Sequence, residues 1–213
     1  MSRLSKRNTS LLVAGIVVLL LLIDQLIKFY VKLHFTLGES YVVFPWFQIC
    51  MIENNGMAFG IEWFDKLFLT LFRIVAVGVL CWYLHRLIKA EARMGYIIMV
   101  CLVLAGAMGN IIDCMFYGLI FSETTPFEVA TLFPDGGGYA PFFYGKVVDM
   151  FYFPLIHNAA GETIFFRPVF NFADSCITVA VIVIILFFSK DLNRSFEKEK
   201  STDATSDEKG KEG

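Results

Sequence analysis

"PVFNFADSCITVAVIVIILFF", residues 168–188, decides the fold class. Its second half is an unbroken apolar run suited to lipid, and its first half sets Asn171 and Asp174 at the doorstep of that run. Three residues apart on a helix, the two side chains share one face. A carboxylate at that depth is expensive unless it has partners or a task. The rest of the chain therefore has to supply both a membrane bundle and those partners.

The bundle is visible in composition. Of 213 residues, 57% are hydrophobic and 23 are Phe, and the mean hydropathy is +0.64; soluble domains lie nearer half apolar or below. The net charge of −2 points to no nucleic-acid partner. Four segments, 11–33, 66–88, 95–117 and 168–189, have the roughly 20-residue length that crosses a hydrocarbon core. Lys and Arg collect before the first (Arg3, Lys6, Arg7), between the second and third (Arg86, Lys89, Arg93) and after the fourth (Lys190, Arg194, Lys198, Lys200). The positive-inside rule then places both termini in the cytoplasm and two substantial loops outside.

The expected fold is an all-α polytopic membrane protein of four transmembrane helices. A small extracytoplasmic β-like element arises from the β-branched and aromatic stretch "SYVVFPWFQICMI" (40–52), and a long extracytoplasmic loop follows the third span. Residues 1–190 read as one integral-membrane domain and 191–213 as a disordered polar tail. The first span follows basic residues as a signal peptide would, but it continues past any small-residue cleavage site and reads as a retained helix. Five cysteines without CxxC spacing, and three scattered histidines without HExxH, suggest neither a disulfide framework nor a metal site.

Helical rise places the intramembrane polar groups in one layer. Counted from the basic end of each span, Asp24 and Lys28 lie ~21 and ~27 Å up, Asn110 and Asp113 ~26 and ~30 Å, and Asp174 and Asn171 ~24 and ~29 Å. Two readings stand for Asp24 and Lys28: an i,i+4 pair neutralising itself, with Lys28 snorkelling, or support for a site. The small residues Ala105, Gly106, Ala107 and Gly109 explain close helix packing, but do not require the neighbouring Asn110 and Asp113. In the outer loops, "ENNG" (53–56) has turn composition. Asp149 stands in an apolar stretch just outside the membrane.

Taken in order, "DQLIK" (24–28), "NNGMAFG" (54–60), "GAMGNIID" (106–113), "VVDMF" (147–151) and "FNFADSCI" (170–177) resemble the motifs of the bacterial lipoprotein signal peptidases, or signal peptidase II. The resemblance runs from the first span to the fourth. It implies an intramembrane aspartic endopeptidase of the cytoplasmic (inner) membrane, with its active site at the extracytoplasmic face. Such enzymes cut diacylglyceryl-modified prolipoproteins on the amino side of the lipidated cysteine. The family's catalytic pair falls on Asp149 and Asp174, and its supporting residues on Asp24, Lys28, Asn54, Gly56, Asn110, Asp113 and Asn171. The implied partners are prolipoprotein substrates and membrane lipids, the implied state is a monomer, and no cofactor is implied.

Two departures stand out. Cys114 occupies the position where the family has Arg after its third-span Asp, and 35 residues separate Asp113 from Asp149 where the family's link is short. Arg73, ~20 Å up the second span, has two readings. It reaches Asp113 or a substrate headgroup in place of the missing Arg, or it snorkels to lipid phosphate. The long loop reads as a mobile lid hinged at Gly136, Gly137 and Gly138. Rival functions remain: a transporter relaying ions through aspartates, a non-catalytic scaffold, or a serine protease using Ser175.

Overall fold

The structure, a computed structural model, describes residues 4–55 and 64–195. Helix α1 spans Lys6–His34; Ser5 caps it by accepting from the Asn8 amide at 3.2 Å, and Lys32 and His34 stand in its last turn, where the helix dipole favours cations. Strands β1 (Ser40–Phe44) and β2 (Phe47–Asn54) follow as an antiparallel pair. Helices α2 (Phe64–Lys89) and α3 (Met94–Ile112) come next. The chain then passes through one π-helical turn, Asp113–Tyr117, into the single turn α4 (Gly118–Ile120). After a long loop come β3 (Val147–Tyr152), β4 (Ile156–His157), β5 (Thr163–Phe165) and β6 (Val169–Phe170). Helix α5 (Phe172–Phe187) and α6 (Ser189–Ser195), turned 88° from it, complete the described chain.

Helix α1, most of α2, and the continuous stretch Met94–Ile120 are each long and apolar enough to cross a membrane. Helix α5 with α6 makes a fourth span if the bent pair is counted as one. The chain is a multi-pass membrane protein. Large side chains such as Leu19, Leu22, Phe72, Val75 and Ile185 are exposed on the bundle surface, where lipid contact removes the usual reason to bury them.

The bundle has two distinct ends. At one, Lys6 pairs with Glu91 at 3.2 Å, Arg93 approaches Asp191 at 3.9 Å, and Tyr83 shares hydrogen bonds of 2.6 Å with Tyr96 and Ser195. The start of α1, the α2–α3 link and α6 therefore meet there. At the other end lies a four-stranded sheet in the order β1-β2-β3-β6, beside a separate β4–β5 hairpin. One core cluster, including Leu84, Tyr96, Ile97 and Cys101, fills the first end; a second, with Val31, Met51, Tyr117, Phe121, Val148 and Met150, joins the helices to the sheet.

Helices α3 and α5 approach closely because of two glycines. A Cβ on Gly106 would collide with the Ala173 carbonyl, and one on Gly109 would sit 2.6 Å from Asp24 Oδ2 and 3.2 Å from Ala173 Cβ. The small-residue stretch of α3 thus sets the distance at which the polar groups of three helices meet.

Three expectations need correction. Pro168–Phe170 is not the head of the fourth span: Phe170 pairs with Phe151 in the sheet, and the helix begins only at Phe172 because Asn171 caps it. The third helix does not stop at 117 but runs to Ile120 through the π turn. Residues 191–195, expected in the disordered tail, are helical, with Leu192 packed against the first core cluster; the remaining 196–213 lie outside the described residues. The long loop is bonded to the third helix and to itself: Tyr139 donates its amide to Phe121, Ala140 to Gly118 and Ser122 to Thr131. Of its three glycines, Gly138 is pressed against the Gly118 carbonyl, while Gly136 and Gly137, the latter at φ +85°, face open space.

Candidate active site

The site grows from the cap of α5. Asn171 Oδ1 accepts from the Asp174 amide at 2.9 Å, while the Asp174 carboxylate accepts from the Asn171 amide at 3.4 Å. This reciprocal capping box fixes both side chains against the first helical turn. Asn171 Nδ2 still has two protons to give, and it gives them to Asp149 Oδ1 at 2.7 Å and Asn110 Oδ1 at 3.0 Å. One fully buried asparagine therefore touches both aspartates and the third helix.

Asp149 comes from the sheet, not from a loop. It lies in β3 opposite Ile52 of β2, with Asn54 two residues further on the same face. Asn54 Nδ2 donates to Asp149 Oδ2 at 3.1 Å. Burial, followed by the charge of Asp174, pushes the Asp149 carboxyl up to about 6, against the opposing hydrogen bonds from Asn54 and Asn171 and the charge of Lys28. Asp174 receives Asn110 Nδ2 at 2.8 Å.

Behind the two aspartates stands a satisfied polar layer. Lys28 has no exposed surface, and its ammonium group finds Asp24 Oδ2 at 3.0 Å, Asp113 Oδ2 at 2.7 Å and Asn110 Oδ1 at 3.0 Å. Three protons meet three acceptors, which is what a buried ammonium requires. Asp24 Oδ1 accepts from the Ala173 amide at 3.0 Å, tying α1 to the first turn of α5. Asp113 Oδ2 also accepts from the Val148 amide at 3.4 Å, tying the π turn to β3 beside Asp149. The π turn begins at Asp113, and such single-turn widenings recur at functional sites.

The structure thus gathers Asp24, Lys28, Asn54, Asn110, Asp113, Asn171, Asp149 and Asp174 into one connected network. Gly56 lies outside the described residues. Arg73 stands apart: its guanidinium donates to Cys114 Sγ at 3.2 Å and not to Asp113, whose cation is Lys28. Gln25, which is absent from the sequence-based candidates, donates to Asp24 Oδ2 at 3.1 Å and Asp113 Oδ1 at 3.0 Å and accepts from Tyr117 at 3.1 Å. The signal was available, since a glutamine inside an apolar span raises the same question of partners as its aspartate neighbour. All five cysteines are free, with Cys81 exposed and the others buried. Among the described residues no group of three or more His, Cys, Asp or Glu is placed to hold a metal ion.

Chemically, two carboxyl groups on a shared asparagine, one of them keeping its proton to about pH 6, form a pair able to act as base and acid together. The geometry has relatives. The family model described as signal peptidase (SPase) II matches residues 16–190. The chain is 47% identical to a lipoprotein signal peptidase of Porphyromonas gingivalis over 210 residues, which is 94% of this chain and 92% of that protein. It is 32% identical to one from Amoebophilus asiaticus, over 91% of this chain and 84% of that one. Among solved structures, a bacterial membrane enzyme determined by the in meso method at 1.9 Å superimposes with a TM-score of 0.60 at 26% identity, covering 90% of this chain and 99% of that chain.

Proposed function

This chain belongs to the signal peptidase II family, and on that premise we propose that it is a protease freeing diacylglyceryl-modified prolipoproteins of their signal peptides. The reaction is aspartic: Asp149 and Asp174 act as the dyad, and the cut falls on the amino side of the lipidated cysteine. The enzyme sits in the bacterial inner membrane as a monomer with both termini in the cytoplasm. The sheet end of the bundle then faces outward, where the dyad meets water and the apolar helix surfaces receive the signal helix and acyl chains.

The observation that carries this reading is Asn171, whose one side chain contacts Asp149 and caps Asp174. Aspartates from a strand and a helix are thereby held around a common point. Like charges so placed resist joint ionisation, so the Asp149 carboxyl keeps its proton up to about pH 6, and the singly protonated pair is the reacting form. The ionised member takes a proton from water as its oxygen attacks the scissile carbonyl carbon. The protonated member gives its proton to the carbonyl oxygen. Collapse of the gem-diol adduct breaks the C–N bond; the proton taken from water passes to the leaving nitrogen, and one hydroxyl returns its proton to the aspartate that gave it as the C=O bond re-forms. Asn110 and Asn54 hold the outer oxygens, and Lys28 bridges Asp24 and Asp113 so that the layer behind the dyad stays rigid.

Rival readings have less support. A transporter calls for polar groups through the membrane's thickness or at its midplane, whereas these concentrate where the helices meet the sheet. A serine mechanism needs a base at Ser175, and among the described residues its hydroxyl instead donates to the Asn171 carbonyl at 2.9 Å. The deciding experiment is cleavage of a lipidated prolipoprotein peptide in detergent by wild type, Asp149→Asn, Asp174→Asn and Asp113→Asn, with folding checked in parallel. Loss in the first two variants with residual activity in the third supports the dyad. Retained cleavage by folded Asp149→Asn overturns it, and a wild type that never cuts the lipidated substrate overturns the function.

A further inference from the structure

A second buried charge cluster lies on the opposite face of β2 and takes no part in the chemistry above. Glu53 contacts Lys32 of α1 through Oε1 and Lys146, the residue before β3, through Oε2 at 2.9 Å. Lys32 is fully buried and also donates to Thr124 Oγ1 at 2.7 Å. Both ammonium groups lie over the Tyr139 ring, at 5.0 and 5.3 Å, and the Tyr139 hydroxyl accepts from the Lys146 amide at 2.7 Å. Burial opposes the charge of Glu53, but the two lysines prevail and hold its pKa below the usual range. Thr124 and Tyr139 belong to the long loop, so that loop closes the cluster.

The β2–β3 pairing needs such a device. Gln48 and Ile49 face Tyr152 and Phe151, but the register shifts before Ile52, Glu53 and Asn54 face Asp149, Val148 and Val147. Only three residue pairs beyond the bulge therefore place Asn54 beside Asp149. A slip of one residue would turn Asn54 to the opposite face and withdraw its amide from Asp149. Glu53 and Lys146 flank those pairs on the buried side. A buried ion pair is weak evidence for stability, but the setting of register is its best-attested use.

We propose that the Lys32–Glu53–Lys146 bridge, buried at Lys32 and Glu53 and half-buried at Lys146, is a register clamp, that Glu53 is a positioning residue acting through Asn54 on Asp149, and that the long loop is the wall closing the clamp. The kinetic half of this inference rests on the function proposed above; the structural half does not. The test uses full-length protein in detergent. Asn54→Cys with Val147→Cys, and Gln48→Cys with Tyr152→Cys as a control pair, are oxidised in a Cys81→Ser background with and without Glu53→Gln. In parallel, kcat and KM are measured for Glu53→Gln, Asn54→Ala and the double variant.

The clamp predicts that Glu53→Gln lowers kcat about tenfold or more while KM stays within about twofold, as expected for a small displacement of a reacting group. In the Asn54→Ala background Glu53→Gln then costs less than about twofold, since both act through one contact. Cross-linking at 54/147 falls while the 48/152 control is unchanged. Additive kinetic effects, or undiminished cross-linking at 54/147, overturn the clamp. If Glu53→Gln fails to fold, Lys146→Met, which leaves Lys32 on Glu53, is read by the same criteria. If wild type cuts no lipidated substrate the proposed function falls, and the cross-linking yields alone uphold or overturn the clamp.

Discussion

Replacing Asp149 by Asn should kill the enzyme and make the protein more stable at alkaline pH. The Asp149 carboxyl is raised from an ordinary 3.8 to about 6 by burial and by Asp174. A shift of roughly 2 units corresponds to about 3 kcal/mol against the ionised form. Because the folded value lies above the unfolded one, the native state binds more protons between them. Native stability is then highest below the unfolded value, falls as pH rises from roughly 4 to 6, and bears the whole penalty above that. The introduced carboxamide carries no charge at any pH, and its oxygen can still accept from Asn171. Its NH2 group would face the Asn54 donor, which forfeits one hydrogen bond, about 1 kcal/mol. The net expectation is a gain of about 2 kcal/mol at pH 8, or roughly 4–8 °C in Tm, vanishing or reversing at pH 5. Thermal unfolding of wild type and variant in one detergent from pH 5 to 8 measures this, with cleavage assayed alongside. A variant that melts below wild type at pH 8, or an offset that does not change with pH, would refute the reasoning.

The supporting layer makes further predictions. Lys28→Met leaves Asp24 and Asp113 buried beside each other without their cation, and should cost about 3–5 kcal/mol; adding Asp113→Asn should recover part of the lost melting temperature. Asn171→Ala removes the capping box and the Asp149 contact together. It should lower stability by roughly 1–2 kcal/mol on the cap alone and cut kcat about a hundredfold, measured by melting and by turnover of the same preparation. Gly109→Ala, whose Cβ would sit 2.6 Å from Asp24 Oδ2, should destabilise by about 1–3 kcal/mol and reduce activity. Gly78→Ala, facing open space on α2, should be neutral or stabilising by about 1 kcal/mol in the same melts.

Local chemistry alone determined much of this molecule. Apolar runs of spanning length announce α1, α2, α3 and α5 because lipid demands continuous apolar helix and tolerates little else. The β-branched stretch from Ser40 announces β1 and β2, and Asn171 with Asp174 announces a capped helix start. Helical rise alone put Asp24, Lys28, Asn110, Asp113 and Asp174 at one depth, since the rise of about 1.5 Å per residue is a property of the backbone and not of the neighbours. Depth, however, is one coordinate of three. Which cation meets Asp113 was settled by the rotation of α1 against α3 and by the bareness of Gly109, so Lys28 reaches it while Arg73 turns to Cys114. Asp149 could not be recognised as a strand residue from its own neighbours, because its alternation is masked by burial on both faces of β3 and its partners lie 95 residues away in β2 and 22 away at Asn171. The bulge that turns Asn54 toward Asp149, and the buried pairing of Glu53 with Lys32 and Lys146, arise only when helix, loop and sheet close on each other. Secondary structure was legible because it is set by short-range sterics and solvent. The site was decided by tertiary structure, because a hydrogen bond needs a few tenths of an ångström that only packing supplies.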